Sequence, residues 1–240
     1  RPHYAVTTTS GPVTLAALDI GTNSFHLVVA RLLDNGYEIV TREKETVRLG
    51  HGGGDMKELS ADAIDRGISS PRRMQRIAAS HGAKVRAVAT SAVREAENAD
   101  VFLTRARREA KIDVEVISGL EEARLIHIGV LQAVPAFDQR MILVDIGGGS
   151  TEVLVGERGE TLAARSFKLG AVRLTDRFFP GGTISNESVR DCRSYTRSIL
   201  ATFEREVEDF GFDVAIASSG TAETIARMIH AARDDTPLHT

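Results

Sequence analysis

Tryptophan is absent from this 240-residue chain, and aromatic residues make up only 5% of it. Cys192 is the lone cysteine, which excludes a disulfide framework and any thiolate metal cluster and suits a reducing cytoplasm. Long apolar runs are missing too. The longest, such as Met141–Val144, fall far short of the ~20 residues that cross a bilayer, so no membrane partner is expected. The opening stretch Arg1–Ser10 has no apolar core, which sets aside a secretory signal; beginning without Met, it reads as a tail. Nor is there a strong charge of one sign: Lys plus Arg number 30 and Asp plus Glu 33, for a net −3. No global field gathers DNA, and any polyanion must be met by a local basic pocket. What remains, 42% hydrophobic and 26% charged, is an ordinary soluble composition, long enough at ~150 residues per domain for one large or two small domains.

The chain contains an internal repeat. Leu18-Asp-Ile-Gly-Thr-Asn-Ser-Phe-His-Leu-Val-Val-Ala30 lines up with Val144-Asp-Ile-Gly-Gly-Gly-Ser-Thr-Glu-Val-Leu-Val-Gly156. Each copy reads as a buried apolar strand, an Asp-Ile-Gly turn and a second apolar strand. After Asp19 the pattern predicts strands near 24–31 and 36–44 and a helix in 60–80 that Pro71 should split or kink. A strand at 84–89, a helix at 91–110, a strand at 113–117 and a helix at 120–133 follow. After Asp145 it predicts strands near 150–156 and 161–168, helices at 171–178 and 185–209, a strand at 213–217 and a helix at 221–233. This order, met twice, predicts an α/β protein of two similar domains, each a mixed sheet flanked by helices, facing across a cleft. The boundary is expected near Pro135–Arg140, giving domains at 12–136 and 137–240. The second unit is shorter, and its final strand and helix are expected to be missing.

Gly21-Thr22-Asn23-Ser24 and Gly147-Gly148-Gly149-Ser150 are turns in which successive backbone N–H groups can converge on an anion, because no Cβ blocks the approach of the glycines. Neither is a P-loop, since no Lys-Ser or Lys-Thr follows. One such hairpin would read as a tight turn with a capping Asp. Two in matched contexts point to a phosphate clamp with one jaw per domain. Arg94 is expected in the first turn of the helix after Thr90-Ser91, where the helix dipole disfavours a cation by up to ~1 kcal/mol; that suggests phosphate binding, with a solvated ion pair as the equal alternative. Ser218-Ser-Gly-Thr221 opens the last helix as a cap or an anion site.

Ser118 and Glu121 have capping-box spacing, which gives Glu121 a structural task and leaves Glu122 as the carboxylate to face the cleft. Asp19, Asp145, Glu152 and Glu122 gathered around phosphates would repel one another: two charges ~4 Å apart at an effective dielectric of ~20 do so by ~4 kcal/mol. A hard divalent cation with oxygen ligands, Mg²⁺ or a similar ion, relieves that repulsion; otherwise one or more of the acids faces solvent. The Gly50–Asp55 segment reads as a loop at the cleft mouth, and His26 and His127 as packing or surface residues.

These motifs together resemble the exopolyphosphatase/guanosine pentaphosphate phosphatase (Ppx/GppA) family. The resemblance rests on the two hairpins, Ala89-Thr-Ser-Ala-Val-Arg-Glu-Ala-Glu-Asn98, Ile117-Ser-Gly-Leu-Glu-Glu-Ala-Arg-Leu-Ile126, Leu169-Gly-Ala-Val-Arg-Leu-Thr175 and Ser218-Ser-Gly-Thr221. It implies two ribonuclease-H-like (actin-like) domains and Mg²⁺-dependent release of the terminal phosphate of inorganic polyphosphate or of guanosine pentaphosphate. It further implies Glu122 as the base for water, Asp145 and Glu152 as metal-associated, and Asn23 and Arg94 as phosphate contacts. The two substrates present the same terminal group, so the residues do not choose between them. They also leave open a homodimer, a superfamily kinase for a small acceptor, and a non-catalytic polyphosphate or nucleotide binder.

Overall fold

The computed structural model describes residues 13–52 and 55–233. The expected N-terminal tail, two glycines of the loop at 50–55 and the end of the expected second domain, from residue 234, lie outside the described residues.

The chain alternates two buried sheets with their covering helices. β1 (Thr14–Ile20), β2 (Ser24–Leu33), β3 (Gly36–Thr46), β4 (Lys84–Ala89) and β5 (Val114–Val116) form a five-stranded sheet in the order β3-β2-β1-β4-β5. β6 (Met141–Ile146), β7 (Thr151–Glu157), β8 (Glu160–Phe167) and β9 (Val214–Ser218) form a second sheet in the order β8-β7-β6-β9. In each, an antiparallel meander of three strands is extended by a strand parallel to the first. Period-2 burial explains the first sheet: Ala16, Leu18 and Ile20 on β1 and Phe25, Leu27 and Val29 on β2 all point into one core. The repeat extends to irregularities. β2 slips register between Val29 and Ala30, and β7 slips at the matching place, between Val155 and Gly156.

α1 (Ala61–Ser80) runs through Pro71 as one helix rather than being split there. Losing a helical hydrogen bond at proline costs about 3 kcal/mol. Against this, Ile64, Ile68 and Met74 on the same face are buried on the sheet at about 1.5–3 kcal/mol each, and packing prevails. The single helix expected at 91–110 is instead broken into α2 (Ser91–Glu95), α3 (Ala99–Arg105) and a π-helical turn at Ala106–Ala110. The break is non-local in origin. The side chain of Asn98 accepts from Leu59 N and donates to Leu59 O, each at 2.9 Å, while Glu97 N donates to Lys57 O at 2.8 Å.

α4 (Gly119–Ala133) packs on the second sheet, with Ala123, Ile126 and Val130 against Leu143, Leu154, Ala164 and Ile216. α4 thus precedes the polar break near Pro135–Arg140 in sequence while packing on the second sheet. α5 (Ala171–Phe178) and α6 (Asn186–Val207) follow β8, and α7 (Ser219–Arg233) follows β9. No helix among the described residues is long and apolar enough to cross a membrane.

Candidate active site

The β1–β2 and β6–β7 turns close in the same way: Gly21 N donates to Ser24 O at 3.2 Å, and Gly147 N to Ser150 O at 2.9 Å. These two amides, expected at the sequence level to face an anion, are spent within the turns. The next ones are not. Among the described residues, the amides of Thr22, Asn23, Gly148 and Gly149 donate to no protein acceptor. Their carbonyls, by contrast, are held from behind. Val47 N and Arg48 N donate to Asn23 O and Gly50 N to Thr22 O; in the second turn Ala171 N donates to Gly147 O and Val172 N to Gly148 O. Holding the carbonyls back leaves each turn with its donor face uncommitted, the arrangement that backbone anion sites require.

The two turns abut. A methyl placed on Gly148 would lie 3.2 Å from Thr22 Cβ and 3.3 Å from Asn23 Cβ, so the absence of a side chain there permits the close approach. Both turns, from Gly21 to Ser24 and from Gly147 to Ser150, line one cavity of about 990 Å³, together with Asp19, Glu122 and Asp145. The wall also carries His26, Lys44, Arg48 and His51, cationic or ionisable side chains that sequence reasoning assigned to packing or did not single out.

Asp19 opens onto the cavity yet is surrounded by protein, and burial followed by the nearby charge of Asp145 pushes its carboxyl up to about 6. Burial also raises Asp145, against which Ser218 Oγ donates a hydrogen bond to its carboxylate. Glu122, in the first turn of α4, is raised to about 7. Burial is the largest cause, opposed by Arg94, while Asp19 and Asp145 push it further up. Its neighbour Glu121 receives the backbone-capped position expected for it: Ser118 Oγ accepts from Glu121 N at 3.1 Å, and the Glu121 carboxylate pairs with Arg124 in solvent.

Two expected site residues do not line the cavity. Glu152 lies opposite Asp145 in the β6–β7 register and is 3% exposed. It accepts from Ser166 Oγ at 2.6 Å and from Ser150, and burial together with Glu122 raises its carboxyl well above the usual range. Arg94 donates to Glu122 Oε2 and to Ile117 O, both at 3.0 Å. The dipole argument for Arg94 loses its premise, since α2 is only five residues long and Arg94 sits in its last turn. What the sequence did not disclose is the next residue and its partner. Glu95 Oε1 accepts from Arg173 at 2.8 Å, an ion pair joining the two halves with both side chains largely buried.

Among the described residues no three His, Cys, Asp or Glu side chains converge tightly enough to hold a metal unaided. The donor set nevertheless suits Mg²⁺, which typically takes one or two carboxylates and completes its shell with substrate phosphates and water. Asp19 and Asp145 supply such a pair of carboxylates on the same cavity, the charge of Asp145 acting on Asp19.

The sequence profile of the Ppx/GppA phosphatase family matches residues 28–237. The chain is similar to a crystal structure of an exopolyphosphatase from Cytophaga hutchinsonii at 34% identity and a TM-score of 0.87, covering 94% of this chain and 72% of that one. An exopolyphosphatase-like protein matches at 30% identity and a TM-score of 0.82, over 88% of this chain and 67% of the other. The PPX-GPPA enzyme of Aquifex aeolicus matches at 28% identity and a TM-score of 0.74, over 95% and 74%.

Proposed function

This chain belongs to the Ppx/GppA phosphatase family, and we propose that it hydrolyses the terminal phosphoanhydride bond of inorganic polyphosphate or of guanosine pentaphosphate, assisted by Mg²⁺. The observation that carries this reading is the pairing of two abutting turns, each with uncommitted amides, over the same cavity as Glu122. Thr22, Asn23, Gly148 and Gly149 hold the terminal phosphate through their N–H groups, where donors aimed at developing charge are worth roughly 2.7–4 kcal/mol each. Asp19 and Asp145 are the residues to hold Mg²⁺, which when bound offsets the charge of the phosphate oxygens. Arg94 fixes the Glu122 carboxylate in place.

Ionised Glu122 accepts a proton from water as the water oxygen forms its bond to the terminal phosphorus. The bridging P–O bond opposite breaks, and its electron pair stays on the shortened chain. Orthophosphate is the second product, and Glu122 returns its proton to solvent. A general base near neutrality suits such a step and contributes about 10²–10⁴-fold. The proposed setting is the cytoplasm, in keeping with the free thiol of Cys192.

The test is phosphate release from both polyanions, in Mg²⁺ and in EDTA, with no acceptor added. Release that EDTA abolishes is the expected result, with Glu122→Gln slowing turnover by about 10²–10⁴-fold while still binding polyphosphate. Phosphate transferred only to an added sugar or acid would replace hydrolysis by a kinase reading. Polyphosphate binding without release would make the chain a binder.

A further inference from the structure

Arg173 occupies a position that is costly on two counts. Its side chain is only 4% exposed, and it stands in the first turn of α5, where the helix dipole disfavours a cation. Every one of its five N–H donors is nonetheless directed at an acceptor. Nε donates to Gly149 O at 2.9 Å; one terminal nitrogen donates to Asp55 O at 3.1 Å and Asp55 Oδ1 at 2.6 Å; the other donates to Glu95 Oε1 at 2.8 Å and lies 3.5 Å from Met56 Sδ.

These acceptors lie on three separate segments. Gly149 belongs to the second turn, Asp55 and Met56 to the loop that backs the first, and Glu95 ends α2. Asp55 and Met56 both adopt left-handed backbone, with φ of 60° and 64°, which non-glycine residues seldom hold without outside support. Glu95 is itself tied to Ser91 Oγ at 2.9 Å and to Lys168 at 2.9 Å, and it adjoins Arg94, the partner of Glu122. One planar guanidinium thus fixes the second turn's carbonyl, the loop behind the first turn and the helix that carries the base's partner. A lysine offers a single ammonium and cannot span the three.

We propose that Arg173 is a positioning residue that holds the two turns closed and in register, acting through Gly149 and Glu95 rather than on substrate. The inference rests on the phosphatase reading for its kinetic consequence, while its structural half stands apart from activity.

Both halves can be measured. With Asp34→Cys and Glu160→Cys in a Cys192→Ser background, spin labels sit on exposed tips of the β2–β3 and β7–β8 hairpins, one per sheet. The label-to-label distance should be narrowly distributed with Arg173 present, and broader and longer in Arg173→Ala and Arg173→Lys. In parallel, kcat for phosphate release should fall about 10²-fold in both variants with KM changed less than about threefold, and added guanidinium should restore part of the Arg173→Ala loss. Should Arg173→Ala not fold, Arg173→Lys carries both measurements. An unchanged distance distribution overturns the proposal, as does an unchanged kcat beside an altered distance or a loss confined to thermal stability. If the unsubstituted protein releases no phosphate, the phosphatase reading fails, and the distance measurement alone decides the role of Arg173.

Discussion

Glu152→Gln should shift the stability of the metal-free protein differently at pH 4 and pH 8, by up to about 3 kcal/mol in favour of the variant at the higher pH. Glu152 is almost fully buried, and the donors that reach it among the described residues are the hydroxyls of Ser166 and Ser150. Burial first, and the charge of Glu122 second, raise its carboxyl from 4.5 to about 7, which at 1.36 kcal/mol per pKa unit sets a ceiling of about 3 kcal/mol on the cost of its charge. The native state holds this proton more tightly than the unfolded chain. The associated stability is therefore fully present below pH 4.5 and lost as the pH rises through about 7. Glutamine keeps the acceptor oxygen for Ser166 and never ionises, but its NH₂ group needs a partner that the hydroxyls supply imperfectly, at about 1–3 kcal/mol. That penalty applies at both pH values, so the variant is expected to fall about 1–3 kcal/mol below the wild type at pH 4 and to lie between equal to it and about 2 kcal/mol above it at pH 8. Urea unfolding in EDTA at the two pH values measures both differences, and at this chain length thermal unfolding should move by about 2–4 °C per kcal/mol. A difference between variant and wild type that is the same at pH 4 and pH 8 would refute the reasoning.

Arg94→Gln removes the hydrogen bond and the positive charge that favour ionised Glu122, so the Glu122 pKa should rise above about 7 and the acidic limb of the kcat/KM–pH profile should move to higher pH. Arg94→Lys should move it less, and a limb that stays in place in both variants would dissociate Arg94 from the base. Gly149→Ala places a methyl 2.7 Å from Thr22 Oγ1 and 2.8 Å from Met56 Sδ, an overpacking worth about 1–3 kcal/mol; a lower melting temperature and a raised KM for polyphosphate are expected, and wild-type values for both would show that the turns have room to spare.

The fold was legible wherever neighbours in sequence decide the structure. The duplicated strand pattern gave both meanders to within about three residues, down to the turn glycines Gly21 and Gly147. It failed where a distant contact overrides local preference. Nothing within residues 91–110 announces that Asn98 will bind the backbone of Leu59 and break the helix, and Pro71 looks disruptive until the face it packs on is known. The apolar stripe of α4 shows that the helix is buried but not on which sheet. Charge was read best at the turns and least well between the halves. Arg173 lay inside a motif already singled out, yet its partners Glu95 and Asp55 stand 78 and 118 positions away, beyond the reach of any spacing argument.

The two copies of the turn differ in a way that their apposition explains. Gly21 and Ser24 recur as Gly147 and Ser150, because both turns close with the same backbone bond. Thr22 and Asn23 recur as Gly148 and Gly149, so side chains survive in the first turn and vanish from the second. A pair of identical hairpins brought face to face would press Thr-Asn against Thr-Asn, and the amides of both would be held apart by their own side chains. Stripping one copy to glycine lets Thr22 and Asn23 fill the space that Gly148 and Gly149 leave, at the 2.7–3.3 Å separations where a second set of Cβ atoms would stand. Both turns have their carbonyls held by amides from outside, Val47, Arg48 and Gly50 on the first and Ala171 and Val172 on the second, and the more flexible glycine turn takes in addition the guanidinium of Arg173 on Gly149. Divergence of the repeat at these two positions and a buried arginine in the first turn of α5 are therefore parts of one solution.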